Sequence, residues 1–290
     1  MFVPSVPPPD VMRRWIEPLG LVAMMVVALV VALLVVRRHG RAEQRRQARL
    51  ERRHPFAAPV RTLLAFAVAF ASALAFARIA REVVEGETSE MDRTVELAIH
   101  SLQSPALGYV MRAFTFLGSP FAVIPLAAGV IVWAVRKKET RAAVAFSVVL
   151  VMTEALNVML KHTFERARPT LFQEIATLHS YSFPSGHAMA AAAIYGSMGV
   201  VVARLAPTRR KPLVFGLPVL IVMIGVSRIY LGVHWPTDVL AGFAAGAFIA
   251  LAAAIALDGI PSIADARDAS GARAVRARDG GGNAEPTRAS

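Results

Sequence analysis

The chain has 290 residues, 56% of them hydrophobic, with a mean hydropathy of +0.52 and a formal net charge of +12. Its apolar residues come in long blocks, which argues against a pair of soluble domains and makes the bilayer the first solvent to consider. No Cys occurs, so disulfides and thiolate chemistry are excluded, and the positive charge sits in short stretches between apolar blocks, as in oriented membrane helices rather than a nucleic-acid binder.

In chain order, seven segments are candidates to cross the bilayer: residues 19–36, 62–77, 117–135, 142–160, 188–205, 213–226 and 239–257. Most approach the ~17–25 residues a helix needs to cross ~30 Å of hydrocarbon. The two shortest, 62–77 and 213–226, have a buried or interfacial helix as their alternative. The first is long, follows a Pro-rich start and leads into Arg37, Arg38 and Arg41, so it reads as an anchor rather than a cleaved signal. Behind it lies an arginine-rich loop, with Arg45, Arg46, Arg49, Arg52, Arg53 and Arg61. Further basic clusters separate spans three and four (Arg136, Lys137, Lys138, Arg141) and spans five and six (Arg209, Arg210, Lys211). By the positive-inside rule these loops are cytoplasmic. The connection 78–116 carries Glu82, Glu85, Glu87, Glu90, Asp92 and Glu96 and falls outside. The amino terminus is then outside and the carboxyl terminus cytoplasmic. The tail, 258–290, has no apolar period and reads as disordered.

This topology collects three polar stretches on the outer face. Lys161, Arg168 and Pro169 leave span four; Pro184, Ser185, Gly186 and His187 enter span five; Ser227, Arg228, His234 and Asp238 join spans six and seven. Lys161, Arg168 and Arg228 supply a point cation and two planar forks, suited to phosphate or another compact oxyanion. Ser185 and Gly186 stand where a helix begins, so exposed backbone N–H groups can join them. A neutral imidazole at His234 can attack phosphorus, Asp238 one turn on can take its other ring N–H, and His187 can protonate the leaving oxygen.

Taken singly, each feature has a plainer reading: an interfacial anchor, a helix start, a local His–Asp hydrogen bond. Together they spell Lys-x6-Arg-Pro, Pro-Ser-Gly-His and Ser-Arg-x5-His-x3-Asp without departure. The chain thereby resembles the type 2 phosphatidic acid phosphatase superfamily, which includes lipid phosphate phosphatases, undecaprenyl-pyrophosphate phosphatases and soluble vanadium haloperoxidases. The resemblance covers roughly residues 62–257. It implies an all-α polytopic transmembrane bundle with a six-helix core (62–257), preceded by an additional anchor and basic loop (1–61). It also implies that His234 is a nucleophile forming a phosphohistidine, that Asp238 orients it, and that His187 is the general acid. Lys161, Arg168, Ser185, Gly186 and Arg228 would bind the phosphoryl oxygens, with no metal and no cofactor.

The expected partners are the bilayer and a lipid phosphate, with undecaprenyl pyrophosphate favoured and phosphatidylglycerophosphate or phosphatidic acid as alternatives; nucleic acid is not expected and the oligomeric state is not fixed. The expected location is a bacterial-type plasma membrane with the site on the outer face. A transporter would explain the spans but would place its ionisable groups near the midplane. Glu154 and Asn157 lie within span four, Asn157 one turn before Lys161. Arg166, His162, Glu165, His179 and Trp235 are candidates for a headgroup pocket. Gly242 and Gly246 form a GxxxG that lets helices approach.

Overall fold

The computed structural model describes residues 57–170, 180–206 and 210–258. The anchor expected at 19–36, most of the basic loop behind it, His179 and the tail beyond 258 lie outside the described residues. Eight helices account for the regular structure of the described residues: α1 (Ala57–Glu85), α2 (Ser89–His100), α3 (Pro105–Leu117), α4 (Pro120–Arg136), α5 (Thr140–Phe164), α6 (Gly186–Leu205), α7 (Arg210–Tyr230) and α8 (Pro236–Asp258).

The apolar runs become helices because lipid offers no partner for a free backbone N–H or C=O. Thr62–Glu85, Thr140–Phe164, Gly186–Leu205 and Pro236–Leu257 are long and apolar enough to cross a membrane. The second span, expected to stop at residue 77, continues two turns further, to Glu85, with Arg78 paired to Glu82 on its surface at 2.8 Å. The third differs more. In place of one helix over 117–135 there is a pair, α3 and α4, bent by 45°. Gly118 and Ser119 interrupt it, and Pro at the first position of each helix fits an orphan N–H site. At α3 the Ser104 side chain caps the Leu107 N–H at 3.3 Å.

Helix α2 buries acidic side chains. Asp92 and Glu96 are buried, while Met91, Val95 and Leu97 are exposed. Glu90, Arg93 and Thr94 are exposed beside them, so only part of the outer face is apolar, and apolar side chains turned outward fit an apolar outer solvent. The same logic covers Leu63, Phe66, Phe70 and Phe215, all more than half exposed or at that level.

Helix α8 is the hub, packed against α1 and α6. Small residues set the approach. A Cβ on Gly246 would stand 2.4 Å from the Met189 carbonyl, and one on Gly242 2.7 Å from that of Ser185. The GxxxG therefore serves helix approach, as expected, and it presses the start of α6 against the start of α8. A π-helical turn over Ala191–Tyr195 lies in α6 where Gly246 meets it. Such turns are frequent at functional sites, and this one begins one turn after His187. The buried core behind this contact includes Ala127, Phe146, Met189, Ile194, Ile224 and Ile249.

Candidate active site

The end of α5, the starts of α6 and α8, and the end of α7 meet on one side of the bundle. Helix α5 stops one turn after Lys161, where Glu165 takes a left-handed conformation (φ 46°) and turns the chain back. The strand-like stretch that follows is held by its return: the Ser182 N–H donates to the Arg166 carbonyl at 2.8 Å, and the Ser182 hydroxyl to that of Ala167 at 3.0 Å. The Ser185 N–H donates to the Asp238 carbonyl at 2.9 Å, which ties the start of α6 to the first turn of α8. After α7, Gly232 (φ 63°) makes the turn that delivers His234.

His234 is 2% exposed and Asp238 fully buried. The Nδ1 atom of His234 faces Asp238 Oδ2 at 3.4 Å, a contact longer than a well-formed hydrogen bond. On the other side of the ring, Arg168 Nη1 lies 3.3 Å from Nε2. Because a guanidinium only donates, Nε2 must be the acceptor, so the neutral ring carries its proton on Nδ1, towards Asp238. Burial pulls the His234 imidazole down to about 4; Asp238 opposes this, and Arg228 and Arg168 add to it. The ring is thus neutral at pH 7 with a lone pair on the side of the cations.

Those cations are held by backbone carbonyls and hydroxyls. Arg168 donates to the carbonyls of Ser180 (2.7 Å) and Val233 (2.6 Å) and to the Ser180 hydroxyl (2.9 Å). Lys161 donates to the Tyr181 carbonyl, and Arg228 to the Thr115 hydroxyl, which brings α3 into the site. Lys161 lies within electrostatic range of Arg168, Arg228 and Asp238, and His187 within range of Arg228, His234, Lys161 and Arg168. All eight residues expected from sequence therefore converge. Ser185 Oγ and Arg228 Nε, both buried, have no partner among the described residues. Two unmet donors among three cations and a neutral imidazole make a donor set of the chemistry a compact anion requires. Gly186 has its own reason to be Gly: a Cβ there would meet the Asn157 side chain at 2.9 Å. Asn157 thus packs beneath the start of α6, while Glu154 is exposed but within electrostatic range of Lys161.

Of the residues weighed for a headgroup pocket, Arg166 and Trp235 belong to the scaffold. Trp235 donates through Nε1 to the Ala167 carbonyl at 3.0 Å, and its N–H is capped by Asp238 Oδ2 at 2.9 Å. Arg166 bridges Asp238 and Asp92. His162 and Glu165 are exposed, His162 packing edge-on against Tyr181. Asp92, Thr115 and Thr237 were not singled out in the sequence as site residues. The available signal was Asp92 and Glu96 spaced one turn apart, each next to an apolar residue (Met91, Val95, Leu97).

The family model for the PAP2 superfamily matches residues 142–259. Phosphatidylglycerophosphatase B of Bacillus subtilis is 32% identical over 176 residues, which are 60% of this chain and 86% of that protein. An undecaprenyl-diphosphatase of Sulfolobus acidocaldarius is 28% identical, over 51% of this chain and 69% of its own. Among solved structures, that of a transmembrane PAP2-type phosphatidylglycerolphosphate phosphatase from Bacillus subtilis superposes with a TM-score of 0.59 at 30% identity, covering 62% of this chain and 91% of that one.

Proposed function

The chain belongs to the PAP2 superfamily, and from that premise we propose that it is an integral membrane phosphatase acting on a lipid phosphate or pyrophosphate. The observation that carries the reading is the His234 ring, neutral, with Nδ1 towards Asp238 and Nε2 towards Arg168, in a site where Ser185 Oγ and Arg228 Nε are buried without a partner among the described residues. The phosphoryl group sits against Lys161, Arg168, Arg228, Ser185 and the amides at the start of α6. Nε2 of His234 attacks phosphorus, the bond to the lipid oxygen breaks, and His187 gives that oxygen its proton. Asp238 stabilises the Nδ1–H of the phosphohistidine. Water then attacks phosphorus, its proton passes to His187, and inorganic phosphate leaves with His234 restored. Three cations and backbone donors supply the charge stabilisation, so no metal enters the scheme.

The basic clusters at Arg136–Lys138 and 209–211 lie at the opposite ends of the helices from the motifs in sequence, which by the positive-inside rule supports an outer-face site. We favour undecaprenyl pyrophosphate, since an outward site suits dephosphorylation of an outward-facing prenyl carrier. The extended match to a phosphatidylglycerophosphatase favours phosphatidylglycerophosphate as the second reading. Purified protein is to be assayed for phosphate release from undecaprenyl pyrophosphate, phosphatidylglycerophosphate, phosphatidic acid and lipid A. Highest kcat/KM on the first supports our choice, and highest on the second replaces it. Release from none of the four overturns the lipid phosphatase reading.

A further inference from the structure

Arg166 and Asp92 have no part in the scheme above, yet they are built into its base. Arg166 Nη1 donates to Asp238 Oδ1 at 2.6 Å and to the Thr237 hydroxyl at 2.8 Å, while Nη2 donates to Asp92 Oδ2 at 2.7 Å. Asp92 is fully buried and also accepts from the Thr237 N–H (2.9 Å) and hydroxyl (2.7 Å). The Trp235 ring lies 5.6 Å from the guanidinium carbon. Three separate pieces of chain are thereby locked together: α2, the turn after α5, and the first turn of α8.

We propose that Asp92 and Arg166 are positioning residues for the hydrolysis, holding Asp238 Oδ1 so that Oδ2 stays against His234 Nδ1. This rests on the reading of His234 as nucleophile. A packing role alone would need only one of the bonds. What the arrangement adds is a charge relation: one guanidinium is shared between two carboxylates, so Asp238 faces His234 with its charge partly offset. Removing the guanidinium leaves two uncompensated carboxylates and favours a proton on His234. Removing the Asp92 charge gives Arg166 wholly to Asp238 and disfavours it. The other charged or titratable groups facing His234, namely Arg168, Arg228 and His187, are untouched by either change. Facing Arg166 there are Asp92 and Asp238, with Glu96 one turn beyond Asp92.

The test compares full-length wild type, Arg166→Gln, Arg166→Lys and Asp92→Asn, purified in detergent, on whichever of undecaprenyl pyrophosphate and phosphatidylglycerophosphate the wild type hydrolyses. Each variant should lose about 10- to 100-fold in kcat with KM within about threefold, the mark of lost alignment rather than lost binding. The acid limb of kcat/KM should move to higher pH in Arg166→Gln and to lower pH in Asp92→Asn. It should stay in place in Arg166→Lys, which keeps the charge and loses the fork. Folding is checked by melting temperature; if Arg166→Gln does not accumulate folded, the contrast between Arg166→Lys and Asp92→Asn decides. Variants within threefold of wild type, or all slowed with the limb unmoved, overturn the proposal. An inactive wild type, or an active His234→Ala, overturns instead the reading of His234 on which it stands.

Discussion

Replacing Asp238 by Asn puts a nearly isosteric side chain where the wild-type carboxylate accepts from Arg166 at 2.6 Å and from the Trp235 N–H at 2.9 Å, and faces His234 Nδ1 at 3.4 Å. An amide has one oxygen and one NH2, and neither orientation serves all three. With its oxygen towards Arg166, the NH2 meets two N–H groups, and His234 can accept from it only by moving its own proton to Nε2. That removes the lone pair needed for attack and sets a ring N–H against Arg168 at 3.3 Å. With the amide reversed, the NH2 opposes the guanidinium and a buried donor loses its partner, at about 1–3 kcal/mol of stability. The same tautomer error in a Ser-His-Asp triad costs about 10⁴ in kcat. Here the Nδ1 contact is longer, so we expect about 10²–10⁴, which is about 2.7–5.4 kcal/mol of transition-state stabilisation. Lys161, Arg168, Arg228 and Ser185, the anion donors of the proposed scheme, are not bonded to the Asp238 side chain, so binding should persist. The assay is steady-state phosphate release with vanadate inhibition measured in parallel. A kcat within threefold of wild type would refute the reasoning, as would vanadate affinity falling in step with kcat.

Activity should survive chelator and be inhibited by vanadate, which can adopt the five-coordinate shape of phosphoryl transfer; complete loss in EDTA, restored only by a divalent metal, would remove the metal-free scheme. Glu96 should make stability pH-dependent. Neither of its oxygens has a partner among the described residues, and burial, reinforced by Asp92, pushes its carboxyl up to about 7. Its folded form prefers the proton, so its contribution is complete below the ordinary Glu range and is lost as pH rises through about 7. Melting curves should therefore converge for wild type and Glu96→Gln near pH 5, with the variant more stable at pH 8; parallel curves would contradict this. For orientation, a cysteine at Thr170 should react with an impermeant reagent in intact cells and one at Lys137 only after lysis, the reverse pattern placing the site on the cytoplasmic face.

Much of this molecule is legible in its sequence, for physical reasons that also mark where legibility ends. The spans show because hydrocarbon demands unbroken apolar runs. The three motifs show because phosphate chemistry restricts residue type and spacing, and the alternation of spans was enough to bring Lys161, His187 and His234 to one end. Helices α2 and α3 were hidden in a connection read as an acidic loop. In α2 the acidic residues Asp92 and Glu96 mark the inner face while the exposed face mixes Met91 and Val95 with Arg93 and Thr94, so a reading based on apolar periodicity has nothing to follow. The break at Gly118 was hidden by the run continuing through it. Asp92 and Arg166 were both visible, one as an outer charge and one as a headgroup candidate. Their link depends on two contacts spanning more than 70 positions, to Asp238 and to each other, which no local pattern records.

The measurement that bears most directly on the account is trapping of the phosphoenzyme. Wild type, His234→Ala and His187→Ala are mixed with the hydrolysed lipid carrying a labelled terminal phosphate, quenched in base, and digested to locate the label. The account predicts acid-labile, base-stable phosphate on His234 in wild type and none in His234→Ala. In His187→Ala the label should accumulate when the leaving group is good enough to depart without a proton, because the acid is then needed less for formation and its absence slows the water step. Label retained in His234→Ala, or found on His187 in the wild type, would contradict the assignment of nucleophile and acid.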